Sequence, residues 1–334
     1  MNLSSLIVAP NWLGDAVMAI PFLRAIQAAR PGEKLTVLAK RGPGAILGAL
    51  PAVDVIERRS SVLADAIAIR RRRFTDAWLL PNSFRSAVAP FLAGIPERIG
   101  FATDRRTALL SRALPPPPGT AHQLRDYDSL LEARGISPDL APPRIPLPER
   151  SAALASDALL AARLPPGESV MLAPGAAFAW TKRWPTAHWG RLAALLRESG
   201  VASAFVIGPG EEAIAAEAVL AAAFAVPVLG AHLDPPALAA LLALARVVVA
   251  NDSGPMHLAG AVGTPVVALF GPTDPGRTAP SGSPARVLDR YVFCSPCFLK
   301  ECPYAHECMV EITPEQVKRV LDEVMESREF RGES

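Results

Sequence analysis

The apolar positions of this chain change period repeatedly. Leu6-Ile7-Val8-Ala9 is an unbroken apolar run; after the turn Pro10-Asn11-Trp12-Leu13-Gly14, Val17, Ile20, Leu23 and Ile26 share one helical face as far as Pro31-Gly32. Leu35–Ala39 is again a compact run, so strand, helix and strand follow in about 35 residues, the βαβ unit of a parallel sheet. Weaker repeats predict strands at 53–56 and 77–80 and helices at 60–72 and 86–92. Between 137 and 168 the alternation stops. Pro138, Pro142, Pro143, Pro146, Pro148, Pro165 and Pro166 enclose a helical segment at 151–163, and this density predicts a semi-rigid linker. Strands then return at Val170–Ala173, 204–207, 226–229, 247–250 and Val266–Phe270, with helices at 187–198, 211–223, 235–244 and 256–262. An amphipathic helix at 314–327 closes the pattern. Two α/β halves of similar size predict two doubly wound domains, 1–150 and 151–334.

With 334 residues, 50% of them hydrophobic, the chain can fill two cores, which excludes a disordered or fibrous protein. The most apolar stretches, 218–229 and 237–250, are interrupted by Pro227 or Arg246 and fall short of the ~20 residues of a membrane span. Met1-Asn2-Leu3-Ser4-Ser5 lacks a basic n-region, so no signal peptide is expected and the reading is cytosolic. Four cysteines crowded into 294–308 are too few and too local for a disulfide framework. A net charge of +2 conceals an asymmetry. Residues 1–150 hold 20 Lys and Arg against 13 Asp and Glu, whereas 151–334 hold 14 against 19. The first half is thus expected to meet something anionic, unless the excess merely reflects an arginine-rich composition. Arg70-Arg71-Arg72-Arg73-Phe74 lacks interleaved aromatics and any nucleic-acid module. A solvated helix end is the default there. An arginine face including 70–73 and Arg105-Arg106 would functionally favour an anionic glycolipid or membrane surface.

Neither half carries Gly-x-Gly-x-x-Gly after its first strand. Gly208-Pro209-Gly210 lacks the third glycine and runs into Glu211-Glu212, which disfavours a nicotinamide dehydrogenase. Asn251-Asp252-Ser253-Gly254-Pro255-Met256-His257 follows a buried strand and opens a small-residue helix. Ligands of open α/β sheets bind at such strand ends, where free amides receive an anion. Ser253 and Gly254 let a phosphate approach, and Asp252 would face a sugar hydroxyl. Capping by Asp252 or Ser253 is the simpler alternative, but it does not account for His257 one turn inside. Pro174-Gly175-Ala176-Ala177-Phe178 leads into Trp180-Thr181-Lys182-Arg183-Trp184-Pro185. Lys182 between two tryptophans would either neutralise a departing diphosphate or cover an aromatic cluster. Asp15 would act as a general base, as an N-cap, or as both.

In this order the segments resemble glycosyltransferase family 9, the ADP-heptose:lipopolysaccharide heptosyltransferases. The resemblance rests on the stretch from Pro10 to Met18, the Pro174-Gly175 and Lys182-Arg183-Trp184-Pro185 block, Asn251 to His257, and Phe270-Gly271-Pro272-Thr273-Asp274-Pro275. Trp12-Leu13-Gly14-Asp15 and the cysteine-bearing tail look most like the heptosyltransferase II branch. The resemblance implies a GT-B fold, two facing Rossmann-like doubly wound domains, the first holding the acceptor and the second the donor. It implies transfer of L-glycero-D-manno-heptose from ADP-heptose to the lipopolysaccharide inner core, with inversion and without cofactor or metal. Asp15 matches the catalytic aspartate, Lys182 the diphosphate lysine, and Asp252, Ser253, Gly254 and His257 the donor motif. Gly175, Ala176 and Ala177 would complete the donor site, with Glu211 or Glu212 holding the ribose, although some members place hydroxyl residues at Ala176-Ala177. Asn11, Trp12 and Gly14 would meet the acceptor at the inner face of the inner membrane. The alternatives are a related transferase for another nucleotide sugar, or a binding protein without turnover. Cys294, Cys297, Cys302 and Cys308, near His306, would suffice for a tetrahedral zinc site. Their spacing is not that of a standard finger, and a reduced packing loop is expected instead.

Overall fold

The computed structural model describes residues 4–327; Met1-Asn2-Leu3, part of the stretch read for a signal peptide, lies outside them. The chain divides into two units, the first ending at Pro146 and the second beginning at Leu147.

The first unit holds β1 (Ser5–Val8), β2 (Leu35–Ala39), β3 (Val53–Glu57), β4 (Asp76–Leu79), β5 (Glu97–Phe101) and β6 (Arg112–Leu114), all parallel, in the order β3-β2-β1-β4-β5-β6. Leu6, Ile7 and Val8 are unbroken in the sequence because β1 is covered on both faces. Ile7 lies between Val37 of β2 and Trp78 of β4. Helices Leu13–Met18 and Ile20–Ala29 replace the single predicted one, meeting at Ala19. Phe22 from the second packs edge-on against Trp78, ring centroids 5.6 Å apart.

Arg106 corrects an expectation. The sequence pattern puts it on an exposed arginine face, whereas in the structure it is fully buried. Its Nε donates to Phe101 O at 2.9 Å and its Nη1 to Ser86 Oγ at 2.9 Å and to Pro81 O. It ties together the carbonyl ends of β4 and β5, and burial lowers its pKa to about 10.

The second unit holds β7 (Val170–Ala173), β8 (Ser203–Val206), β9 (Val228–Leu229), β10 (Val247–Asn251), β11 (Val266–Phe270) and β12 (Ala285–Asp289). Their order is β12-β11-β10-β7-β8-β9, again parallel and the same winding as the first unit. The helix Glu149–Ala161, read as part of a linker, belongs to this unit; Ala155 and Leu159 are buried along it. The core gathers Trp184 and Trp189, centroids 5.0 Å apart, with Val317, Leu321 and Val324 of the last helix, Pro314–Glu326. Thr313 and Gln316 form a capping box at its start.

In a sheet wound this way the crevice opens where strand order reverses, between β1 and β4 in one unit and between β7 and β10 in the other. The motif-bearing loops follow β1, β7 and β10. Among the described residues no helix is long and apolar enough to cross a membrane.

Candidate active site

Asn251, the last residue of β10, is fully buried and polar, so its amide must be satisfied inside the protein. Its Nδ2 donates to Pro174 O at 2.8 Å and Gly175 O at 3.3 Å, and its Oδ1 accepts from Trp184 N at 3.1 Å. One side chain thus holds both ends of the loop after β7. Arg183 tightens the loop from within, donating from Nε and Nη2 to Ala176 O at 3.2 and 3.1 Å. Trp184 Nε1 anchors its far end on Ile312 O at 2.7 Å.

This clamp delivers Lys182, which closes the short 3-10 turn Trp180–Lys182. Its Nζ lies 2.6 Å from Asp252 Oδ2, with side-chain exposures of 15% and 5%. Asp252, expected to face a sugar hydroxyl, therefore also grips the ammonium at this spot. A charge-assisted bond that short fixes a flexible lysine. Ser253 occupies the N-cap of helix Gly254–Val262 but makes no capping bond, and among the described residues its buried Oγ has no hydrogen-bond partner. The capping alternative therefore fails for Ser253. The start of this helix therefore carries an orphaned hydroxyl at Ser253 beside Asp252, the residue that holds the Lys182 ammonium, and a helix N-terminus with such groups suits a phosphoryl group. His257 is buried one turn inside the same helix.

Glu211 closes another side. Its Oε2 accepts from Gly208 N at 2.9 Å, and burial raises its pKa above the usual carboxylate range. A Cβ on Gly175 would sit 2.0 Å from Glu211 Oε1, so only glycine lets this carboxyl reach the loop. Ala176 is buried beside Gly175, and Ala177 is exposed.

In the first unit, Gly14 and Asp15 lie in helix Leu13–Met18 after β1. Trp12, half exposed, takes the N-cap position, so Asp15 is a first-turn residue and not the cap. Asn11 Oδ1 accepts from Arg58 Nη1 at 3.0 Å. Arg58, Arg59, Arg71 and Arg72 line a cavity of about 680 Å³, and burial lowers the Arg58 pKa.

Cys294, Cys297, Cys302 and Cys308 line one cavity of about 10 Å³ with His306, and burial pushes the Cys308 thiol up to about 11. Among the described residues no group of three or more His, Cys, Asp or Glu is placed to hold a metal ion. What sequence reasoning missed is the structural work of Asn251 and Arg183. The polar head of Asn251 at the end of an otherwise apolar strand was the available signal.

A profile of glycosyltransferase family 9 (heptosyltransferase) matches residues 63–307. Lipopolysaccharide heptosyltransferase 2 of Salmonella typhimurium is 30% identical over 96% of this chain and 97% of its own length. The solved structure of Escherichia coli ADP-heptose lipopolysaccharide heptosyltransferase II superposes with a TM-score of 0.82 at 27% identity, over 97% of this chain and 98% of that one. Escherichia coli heptosyltransferase WaaC, solved with ADP-2-deoxy-2-fluoro heptose, shares the fold with a TM-score of 0.70 at 21% identity, over 96% and 99% of the two chains.

Proposed function

Because the chain belongs to glycosyltransferase family 9, we propose that the site just described transfers heptose from ADP-heptose to the inner core of lipopolysaccharide, as heptosyltransferase II does. The fold is GT-B, two doubly wound α/β units. The observation that carries the site assignment is the Lys182–Asp252 pair beside the unpartnered Ser253 Oγ, at the start of helix Gly254–Val262.

The second unit holds the donor. Lys182, Ser253 and the helix amides take the diphosphate, with Gly175, Ala176, Ala177 and Gly254 giving close backbone approach. Glu211 holds a ribose hydroxyl, and His257 backs the loop. The first unit holds the acceptor at Asn11, Trp12 and Gly14. The acceptor hydroxyl attacks the anomeric carbon from the face opposite the diphosphate, and Asp15 receives its proton. The carbon–oxygen bond to ADP breaks as the new glycosidic bond forms, so the configuration inverts. Charge growing on the leaving phosphoryl oxygen is met by Lys182 and the helix N-terminus. The reading needs no metal or cofactor. It places the protein in the cytoplasm, against the inner face of the inner membrane, where the arginine cavity of the first unit meets anionic headgroups.

ADP release from ADP-heptose, measured with a panel of truncated core acceptors, tests the function. Asp15→Asn should lower kcat by ~10²–10⁴-fold, the range for loss of a general base, with ADP affinity and stability unchanged. An Asp15→Asn enzyme with normal turnover refutes the mechanism. A chain that binds ADP-heptose yet releases no ADP with any acceptor is a binding protein instead.

A further inference from the structure

Two of the five lysines in this chain share one aromatic ring. Lys182 Nζ lies 5.9 Å and Lys300 Nζ 5.0 Å from the ring centroid of Phe178, within reach of cation–π attraction. The ring face is exposed enough to be seen by a ligand. The two ammonium groups belong to loops far apart in sequence, and the backbone holds them together. The Thr181 hydroxyl donates to Leu299 O at 2.7 Å, so the residues just before the two lysines are bonded to each other. His306 secures the same turn from the other side. Its Nε2 donates to Thr181 O at 2.6 Å, and its ring meets Trp180 edge-on at 5.0 Å. Cys297 N and Phe298 N both donate to Pro272 O, at 3.1 and 2.8 Å, pinning the cysteine-bearing loop to the chain after β11.

Two ammonium groups within 6 Å of one ring centroid place two positive charges around a single exposed aromatic side chain, where an anion would be met by both. Lys182 is already matched by Asp252 at 2.6 Å. Lys300 is matched only by an aromatic face among the described residues. A diphosphate carries a charge on each phosphoryl group, and one lysine shared with a carboxylate offsets little of it. We propose that Lys300 is a second diphosphate-binding residue of the donor site, supplied by the cysteine-bearing loop, and that it sets the preference for a nucleoside diphosphate over a monophosphate. The inference rests on the donor-site reading given above. Thr181 and His306 act as positioning residues, holding the loop that carries Lys300 against the turn that carries Lys182.

The test is calorimetric binding of ADP and AMP to the full chain and to Lys300→Met and Lys300→Arg. Methionine keeps the stem on Phe178 and removes the charge, so packing is spared. Lys300→Met should weaken ADP about tenfold, the loss expected for one contact to a charged group, and AMP less than twofold. Its KM for the sugar nucleotide should rise in parallel, and Lys300→Arg should restore ADP affinity to within about threefold of wild type. A Lys300→Met chain whose ADP affinity changes less than twofold, or falls equally for ADP and AMP, overturns the inference. A wild-type chain that binds no ADP overturns the donor-site reading itself, a result that the variants cannot produce.

Discussion

Replacing Asn251 by alanine tests whether the loop after β7 is held by one buried side chain. The substitution removes three hydrogen bonds, to Pro174 O, Gly175 O and Trp184 N. Asn251 itself is fully buried, so water does not readily take its place. A buried donor or acceptor left unmatched costs about 1–3 kcal/mol. The Trp184 N–H and the Pro174 carbonyl are the two strongly bonded partners, and together they give a loss of roughly 2–6 kcal/mol. For a unit of this size that corresponds to a fall of about 4–24 °C in Tm. Urea unfolding followed by circular dichroism should show a lower midpoint with unchanged slope. ADP affinity of the folded variant should fall as well, because Lys182 rides on the released loop. Asn251→Asp keeps an acceptor for Trp184 N but turns a carboxylate toward two carbonyls, and should cost at least as much. A loss below about 0.5 kcal/mol for Asn251→Ala would refute the argument that this amide holds the loop.

Other perturbations separate binding from stability. Lys182→Ala should weaken ADP binding and strand the buried Asp252 carboxylate, costing roughly 2–5 kcal/mol; adding Asp252→Asn should recover much of the stability but not the affinity, read by a double-mutant cycle. Burial raises the Glu211 pKa, so the folded state favours the protonated form; the associated stability is present at low pH and is lost as pH rises from the unfolded value through the raised folded one. Glu211→Gln should therefore be more stable than wild type near pH 7, lose that advantage as pH falls to ordinary carboxylate values, and bind ADP more weakly. An equal urea midpoint at both ends of that range would refute it. Binding to anionic vesicles should fall as salt rises, since exposed charges are screened over ~8 Å at physiological ionic strength, and Arg71→Glu with Arg72→Glu should reduce it at low salt. Salt-independent sedimentation with vesicles would remove that role from the arginine cavity.

The strands legible in the sequence are those buried on both faces. Leu35–Ala39 and Val266–Phe270 have the bounds their apolar runs suggest. β5, β6 and β12 were not legible, because Glu97, Arg98, Arg112 and Arg286 break the apolar signal in strands that are only partly covered. Helix Arg41–Leu47 was hidden by Gly42-Pro43-Gly44, which reads as a turn. There glycine serves packing: a Cβ on Gly44 would come within 3.1 Å of the Val55 side chain. Lys182 and Asp252 were each visible in a motif, yet their pairing depends on β7 lying beside β10, a neighbour relation no local pattern states. Arg106 looked like surface charge because two adjacent arginines usually are. Its burial depends on carbonyls that only the folded strand ends present.

The anchor of Trp184 on Ile312 gives the order of synthesis a meaning for activity. The loop after β7 is fastened at its far end just ahead of the last described helix, whose Val317, Leu321 and Val324 belong to the same core as Trp184. Arg246, just before β10, donates to Met325 O at 3.0 Å, adding a second tie to the same late segment. A nascent chain therefore fastens the loop after β7 only once residue 312 has left the ribosome. A premature stop at position 312 would remove that fastening and leave every motif residue in place, so the sequence would still read as an enzyme while the Trp184 indole lost its partner.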